Sequence, residues 1–224
     1  MIGRFALALV APLMLLGCVL TPGKFVSTLS INADRSFAFT YKGEVIAPQQ
    51  EQASEEKADG DAAKPADKEP AEDNEAKLRA MADALSKEAG YKSVVYRGKG
   101  KFDIDYAITG RLDHGFVFPF NTDAEVMFPF LAIELRQGGL VRVKAPGFAN
   151  SKSNGMPDAT GGLASRPSAD LAKYLDGVFT IDTDAEIVSQ NTEEGAKAAG
   201  KRKTLSWKAT PLTKDAPAAV LRLR

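Results

Sequence analysis

Strict alternation of apolar and polar side chains most constrains how this chain of 224 residues can fold. It is clearest in residues 101–113, KFDIDYAITGRLD, where apolar side chains take every second position from Phe102 to Ile108. Successive side chains of a β-strand point to opposite faces of the sheet, so the pattern predicts a strand with one packed face and one hydrated face. Such strands are typical of antiparallel sheets, because parallel strands buried on both faces have continuous apolar runs.

The same alternation recurs along much of the chain. Residues 28–42 predict a hairpin that turns at Asp34 and Arg35, and residues 130–145 predict a second hairpin around Gly138 and Gly139. Four more strands or strand fragments are indicated by apolar residues near the carboxyl terminus, namely Phe179 with Ile181, Ile187, Leu205 with Trp207, and Leu221 with Leu223. The sequence therefore predicts a mostly antiparallel β architecture.

Two segments have helical spacing instead. In residues 75–89 apolar side chains recur at intervals of three and four, and Gly90 follows as a residue suited to end a helix. A shorter helix is predicted for residues 169–175, with Ser168 as its N-cap. We expect both helices to cover one face of the sheet. The predicted fold class is thus α+β, a mostly antiparallel sheet with one or two helices packed on one face.

An acidic segment interrupts these patterns. Residues 48–76 contain ten acidic and three basic side chains, a net charge of −7 in a chain whose formal net charge is zero. Residues 48–73 contain no aliphatic side chain larger than alanine, so they can bury too little apolar surface to offset the entropy lost on ordering. We expect residues 48–74 to be a disordered insertion and residues 75–224 to be the remainder of one domain. The alternative is an acidic segment that recruits a basic partner.

A second long loop is predicted for residues 146–167, which are rich in Gly, Ser, Asn and Pro. Loops of this length are uncommon in compact domains and are usually either mobile or functional. The segment is therefore expected to be a mobile loop or a binding loop.

The amino terminus has the composition of an export signal. Residues 1–17, MIGRFALALVAPLMLLG, join a short basic segment to an apolar run from Phe5 to Leu16, which is shorter than the roughly 20 residues that a membrane-spanning helix needs. The run ends in LLGC and resembles the lipobox of bacterial lipoproteins, although Leu16 stands where Ala or Ser is more usual. We therefore expect residues 1–17 to be a lipoprotein-type signal peptide, and residues 18–47 to hold the anchor, a short tether and the first hairpin.

Cys18 is the only cysteine of the chain. Its thiolate is the nucleophile that can be alkylated to a thioether bearing diacylglycerol, after which cleavage makes Cys18 the first residue. The resemblance implies a further acyl chain, such as palmitate, on the new amino terminus, so that two or three chains insert. At least two chains are needed for stable anchoring, because one binds only marginally. The alternative is that Cys18 is a small apolar residue inside a signal or a core.

The same resemblance implies a location in the bacterial cell envelope. Val19 follows the cysteine where Asp would favour retention at the inner membrane, so we expect the protein to face the periplasm from the outer membrane. From Cys18 to a first strand near Phe25 the chain can span at most about 25 Å, which keeps the folded domain near the headgroups. Basic patches at Arg97, Lys99 and Lys101 and at residues 201–203 would either meet anionic headgroups or serve solubility.

A cluster of phenylalanines is the candidate ligand site. Five of them lie within residues 116–130, at Phe116, Phe118, Phe120, Phe128 and Phe130. Prolines inside these runs predict edge strands or loops in place of central strands. One interpretation is that the rings close the end of the core. The other is that they line the mouth of a hydrophobic cleft that binds an acyl chain or touches the bilayer.

No catalytic constellation is recognisable in the sequence. His114 is the only histidine, and neither a nucleophile elbow nor a second zinc ligand of the usual kind accompanies it. Asp103 and Asp105 share one strand face, as paired carboxylates of a glycosidase or calcium site would, but basic and hydroxyl residues alternate with them, which favours a hydrated sheet face. We expect no enzymatic activity, no cofactor, no metal and no nucleic-acid partner.

The carboxy-terminal part carries a family resemblance. Residues 177–192, GVFTIDTDAEIVSQNT, followed by Gly195 and by Leu205-Ser206-Trp207, resemble the closing strands of LppM-type bacterial lipoprotein domains. Those domains have an early lipidated cysteine, a sheet-plus-helix fold and a proposed role in binding envelope lipids. This chain departs from them in its acidic insertion and in ending at Arg224 without a carboxy-terminal membrane helix.

Together, the lipobox and this resemblance imply a membrane-anchored, non-enzymatic envelope lipoprotein that binds a lipid or another hydrophobic ligand. The alternative is an assembly or scaffold subunit that recruits a protein partner through the acidic insertion or through an exposed strand edge.

Overall fold

The computed structural model describes residues 20–47, 71–119, 129–150 and 172–224. These residues form two β-sheets, of seven and five strands, and one α-helix. The helix α1 spans Ala71–Leu85, and short 3-10 turns lie at Gln137–Gly139 and Pro146–Phe148. The strands are β1 Thr21–Ile31, β2 Ser36–Ile46, β3 Tyr91–Gly98, β4 Lys101–Arg111, β5 Phe116–Phe118, β6 Leu131–Arg136, β7 Leu140–Lys144, β8 Asp176–Thr183, β9 Glu186–Gln190, β10 Lys197–Ala199, β11 Arg202–Ala209 and β12 Ala218–Arg222.

The larger sheet has the strand order β10-β11-β8-β1-β2-β4-β3, and the smaller sheet has the order β5-β6-β7-β12-β9. Neighbouring strands are antiparallel except β1 and β8, which pair in parallel from Lys24 opposite Asp176 to Ile31 opposite Thr183. The first strand of the described chain therefore lies in the middle of the larger sheet, between β2 and a strand from near the carboxyl terminus.

The two sheets pack face to face and enclose one core. Rings of the larger sheet contact rings of the smaller one: the Phe39 and Phe118 centroids are 5.1 Å apart, and those of Tyr41 and Phe130 are 5.9 Å apart. Phe148, from the second 3-10 turn, completes this layer against Phe179 of β8 at 5.3 Å. The arrangement is a β-sandwich in which the inward positions of both sheets supply the core.

The predicted α+β class is wrong. The fold is mostly β, and α1 contacts β3 at the edge of the larger sheet through a side that includes the buried Leu78 and Ala82. Alternation predicts that one face of a strand is buried, but it does not identify what buries it. Here a second sheet, built from strands that the pattern itself predicts, covers the inner face that we assigned to helices.

The remaining helix predictions shift or cannot be placed. The helix predicted over residues 75–89 begins earlier, at Ala71, and ends at Leu85, so its first turn overlaps the predicted insertion of residues 48–74. The rest of that insertion, residues 48–70, lies outside the described residues, as do residues 169–171 of the helix predicted over residues 169–175. Of the described part of that helix, Ala172 is helical, and Lys173 and Tyr174 form a turn before β8.

The two predicted hairpins are present. Gly138 and Gly139 have φ values of 74° and 71°, the left-handed conformation that glycine adopts without a Cβ clash, and they join β6 to β7. The first hairpin is longer than predicted, because β1 begins at Thr21 and its register to β2 shifts between Pro22 and Phe25. Pro22 and Gly23 hide this extension in the sequence, since both residues are unfavourable inside strands.

Candidate functional site

The structure places three of the five predicted site phenylalanines. Phe118 and Phe130 are fully buried, whereas Phe116 is half-buried on the edge strand β5, in agreement with the edge position that the nearby prolines predict. The Phe118 ring centroid lies 4.6 Å from that of Tyr106, and the Phe116 centroid lies 5.4 Å from that of Phe37. Phe120 and Phe128 lie outside the described residues.

Tyr41 stands at the centre of this aromatic cluster. Its ring contacts Phe25, Phe118, Phe130 and Phe148, and its buried hydroxyl donates a hydrogen bond of 2.7 Å to the Glu44 carbonyl oxygen. Burial raises the pKa of Tyr41 well above its ordinary value of 10.0, and the charge of Glu44 adds to the effect. The hydroxyl is therefore a neutral donor at physiological pH. Because Phe118 and Phe130 are buried and contact the Tyr41 ring, they belong to a packed aromatic core.

The polar candidates from the sequence lie on the surface. Asp103 forms an ion pair of 2.6 Å with Arg97, and Asp105 lies 3.9 Å from the Lys42 ammonium. His114 is exposed after the end of β4. Among the described residues, no group of three or more His, Cys, Asp or Glu is arranged to hold a metal ion. The paired carboxylates thus have basic partners on the hydrated face of the larger sheet.

The predicted anchor residue, Cys18, precedes the amino-terminal end of β1 by a short stretch of sequence. Cys18 lies outside the described residues, but Leu20 is already buried and β1 begins at Thr21. Three residues of extended chain span about 10 Å. The folded domain therefore begins much closer to Cys18 than the strand start predicted near Phe25 would place it.

We call the end of the sandwich at which β1 begins the tether end. Thr21 pairs there with Ile46, and the Ala47 amide donates to the Gly100 carbonyl oxygen at 2.8 Å. The turn between β3 and β4, the residues before β8, and the turn after β11 meet at this end, because β8 runs parallel to β1 and pairs with the end of β11. Its surface segments are residues 98–101, 173–176 and 210–213.

Two exposed apolar side chains lie at the tether end. Leu212 is 86% exposed and Tyr174 is 38% exposed. The Lys101 ammonium lies 5.4 Å from the centroid of the Tyr174 ring and the Lys173 ammonium lies 5.2 Å from it, within the range of cation–π attraction. Sequence reasoning missed both apolar residues. The available signal was an isolated leucine inside the turn sequence TPLTKD, outside any alternating pattern.

Local hydrogen bonds order the turn that carries Leu212. The Thr213 amide donates to the Thr210 carbonyl oxygen, and the Thr210 amide donates to the Thr213 hydroxyl, each at 3.0 Å. The Asn150 side-chain amide donates to the Pro211 carbonyl oxygen at 2.9 Å. Leu212 is thus presented to the outside by a bonded turn.

Two shallow depressions mark the outer surface of the described residues. One, of about 400 Å³, surrounds Val26 and Val178 with three lysines, Lys24, Lys42 and Lys208, on the tether half of the larger sheet. Val26 is 62% exposed. The other, of about 420 Å³, lies between the sheet edges at β9, β10 and β11. None of the described site phenylalanines lines either depression.

No helix among the described residues is long and apolar enough to cross a membrane.

Comparison with known proteins gives matches of low similarity. No family model and no curated protein matches the chain. Among solved structures, the chain is similar to the folded domain of LppM from Mycobacterium tuberculosis, with 14% sequence identity, a TM-score of 0.34, and coverage of 99% of this chain and 96% of that one. It is also similar to an M1 zinc metallopeptidase from Deinococcus radiodurans, with 9% identity, a TM-score of 0.30, and coverage of 91% and 42%. The weak resemblance to LppM-type domains found in the sequence thus recurs in the structure comparison.

Proposed function

We propose that this chain is a bacterial envelope lipoprotein that is anchored to a membrane through acylated Cys18 and holds its β domain against the lipid headgroups. The observation that carries the proposal is the spacing between the anchor motif and the fold. The LLGC motif ends at Cys18, and β1 begins at Thr21, so only about 10 Å of chain separates the acylated residue from the sheet.

Acylation would explain the single cysteine of the chain, because the thiol then serves as the attachment point of the anchor. No second cysteine exists to form an intramolecular disulfide, and a thioether removes the reactivity of an exported free thiol. The diacylglycerol alone supplies the two acyl chains that a durable anchor needs, and an acyl chain on the new amino terminus would add a third. We place the protein on the periplasmic face of the outer membrane.

We propose binding in place of catalysis for the domain itself. The described carboxylates Asp103 and Asp105 have basic partners, and His114 is exposed. The candidate ligand is a lipid or another hydrophobic molecule, and its candidate position is the edge of the smaller sheet beside Phe116. That ring is half-buried, and Phe120 follows it four positions later in the sequence.

Mass spectrometry of the amino-terminal peptide tests the anchor. The chain is expressed in a bacterium with lipoprotein-processing enzymes, and we expect the mature protein to begin at Cys18 with diacylglycerol on its sulfur. Blocking lipoprotein signal peptidase should make the uncleaved precursor accumulate, and Cys18→Ser should abolish acylation and cleavage together. A mature protein that begins elsewhere, or an unmodified Cys18, would refute the anchor.

Native mass spectrometry of the detergent-extracted protein tests the ligand. We expect a non-covalent lipid to copurify with the full chain and its occupancy to fall in Phe116→Ala. Val117→Ala is the matched control, because Val117 lies next to Phe116 on the same strand but is exposed on the opposite face. Absence of any lipid besides the covalent anchor, or equal loss in both variants, would contradict ligand binding at this edge.

A scaffold role is the second candidate, and the position of β3 as an outer strand favours it. β3 is the outer strand of the larger sheet, and its Val95 is 40% exposed. An edge strand can pair with a strand of a partner. Removing residues 49–70, which precede α1, separates the two functions: loss of partner capture with retained lipid would indicate that the acidic segment recruits a protein.

A further inference from the structure

We infer that the tether end is a bilayer-contact surface, in which Leu212 and Tyr174 enter the interfacial layer and Lys99, Lys101 and Lys173 face the lipid phosphates. The inference rests on the proposed anchoring at Cys18 and adds a second, non-covalent contact with the same membrane. Its partner is a phospholipid bilayer, and not a protein or a free anion.

Proximity is the first argument. β1 begins at Thr21, so an acylated Cys18 keeps this end of the sandwich within about 10 Å of the headgroups. The turns at residues 98–101 and 210–213 and the approach to β8 at residues 173–176 surround that point of entry. Side chains exposed there meet lipid before any other partner.

The character of those side chains is the second argument. Leu212 is 86% exposed although hydrogen bonds within residues 210–213 order its turn. An ordered, exposed leucine gains by moving its surface out of water. Tyr174 combines an apolar ring with a polar tip, the combination that is enriched at membrane interfaces.

The lysines fit the same geometry. The Lys101 and Lys173 ammonium groups lie 5.4 and 5.2 Å from the centroid of the Tyr174 ring. Lysine stems pack along apolar surface while their ammonium groups stay in the polar layer. With the ring in the interface, both ammonium groups would lie at the depth of the phosphates. Lys99 occupies the neighbouring turn between β3 and β4.

The opposite end of the sandwich, which we call the far end, has no such feature. Its turns at residues 32–35, 137–139, 184–185 and 200–201 carry none of the large exposed apolar side chains found among the described residues. The exposed apolar turn surface is therefore concentrated at the end that the anchor would hold to the membrane.

Acidic groups at the tether end determine whether apolar insertion or the attraction between lysines and phosphates dominates the bilayer contact. Asp176 begins β8, and the Glu75 carboxylate accepts a hydrogen bond of 3.1 Å from the Lys99 backbone amide. Negative charge near the headgroups offsets the lysines. The contact therefore depends on insertion of Leu212 and Tyr174, and we expect it in zwitterionic as well as anionic vesicles.

A fluorophore at position 212 tests the inference in the full, acylated chain. Acylation consumes the only native thiol, so Leu212→Cys introduces a single labelling site. Gln137→Cys, exposed at the far end, is the matched control. In vesicles of phosphatidylcholine, with and without phosphatidylglycerol, lipids that carry a quencher near the headgroup should quench the label at position 212 at least threefold more than the label at position 137. Tyr174→Ser should reduce that difference.

The outcomes separate the two proposals. Equal quenching at positions 212 and 137, in protein that floats with the vesicles, overturns the bilayer contact and leaves the anchor intact. A label at position 212 that is shielded only when other envelope proteins are added, without lipid quenching, also overturns it. Wild-type protein with a titratable Cys18 thiol that does not float with vesicles overturns the anchor, and the bilayer contact with it.

Discussion

The two ends of the β-sandwich are closed by different chemistry. At the far end, polar side chains bond to one another and to the backbone. Arg202 donates to Asp182, Asn32 and Ser30 at 2.7, 2.8 and 2.9 Å, and the Ala33 amide donates to the Asp184 carboxylate at 2.7 Å. The buried Thr183 hydroxyl donates to the Ile31 carbonyl oxygen at 2.6 Å. Hydrogen bonds between polar groups therefore close this end of the sandwich.

The tether end is closed from inside by aromatic rings packed on glycines. Phe25 lies opposite Gly43 on β2 and opposite Gly177 on β8, and a Cβ on Gly177 would stand 2.4 Å from the Phe25 ring. The same ring stacks on Phe148 at 4.4 Å between centroids. Because Gly43 and Gly177 have no side chains, the neighbouring strands leave room for the Phe25 ring at this end of the core.

The difference shows that the sandwich is polarised along its strands. Side-chain hydrogen bonds dominate at the far end, whereas the tether end packs its rings more tightly on glycines and presents Leu212 and Tyr174 outside. Substitutions of the same kind at the two ends should therefore have unequal effects.

Gly147→Ala should have the largest effect, at the tether end. Its new Cβ would stand 2.6 Å from the Phe130 Cα, a backbone atom that cannot move aside without displacing the core. We expect the free energy of unfolding to fall by about 2–3 kcal/mol, measured by urea denaturation followed through Trp207 fluorescence. Gly110→Ala is the far-end control, because its Cβ would meet only the Phe37 ring, at 3.2 Å. Equal losses in both variants would contradict the difference in packing.

Thr183→Val should come next, at the far end. It removes the bond to the Ile31 carbonyl oxygen and the acceptor of the Ala185 amide, which lies 3.0 Å from the Thr183 hydroxyl, so two buried backbone groups each lose a hydrogen-bond partner. We expect a loss of about 2 kcal/mol. At the tether end Thr210→Val should cost less than about 1 kcal/mol, because water can reach the groups that it releases. A larger cost at Thr210 would reverse the comparison.

The smallest effect concerns Asp34, in the far-end turn. Hydrogen bonds from the Ser36 hydroxyl, at 2.6 Å, and the Ser36 amide, at 2.9 Å, hold the pKa of Asp34 below its ordinary value of 3.8. A depressed pKa in the folded state contributes stability at pH values above 3.8, and that contribution is lost as the pH falls through the folded pKa. Asp34→Asn should flatten the acid side of the stability profile. In Ser36→Ala, a carboxyl NMR titration should show the pKa of Asp34 moving back toward 3.8; an unchanged titration would contradict the assignment.

The local elements of the fold are readable from the sequence, and their assembly is not. β4 and the hairpin around Gly138 follow from alternation and turn residues, because both signals are local. The pairing of β1 with β8 joins residues far apart in the chain, such as Ile31 and Thr183, and no local pattern encodes it. The choice between a helix and a second sheet as the cover of the core depends on that same long-range assembly.

The candidate site divides in the same way. The Cys18 prediction rests on a contiguous motif, so it needs no tertiary information. The phenylalanines of residues 116–130 form an equally conspicuous cluster, but composition cannot distinguish a packed ring such as Phe118 from an exposed one. Leu212 and Tyr174 are far apart in the sequence, and only the antiparallel pairing of β8 with β11 brings their segments to one end.

The central position of β1 also has a mechanical consequence. β1 is bonded on one side to β2, from Thr21 to Ile31, and on the other side to β8, from Lys24 to Ile31. A force applied to Thr21 along the strand loads both ladders in shear, so many hydrogen bonds must break together before the strand slips. A pull on a sheet edge, by contrast, can peel a strand away one bond at a time. A chain held by its amino-terminal end thus transmits tension directly into the strongest part of its larger sheet.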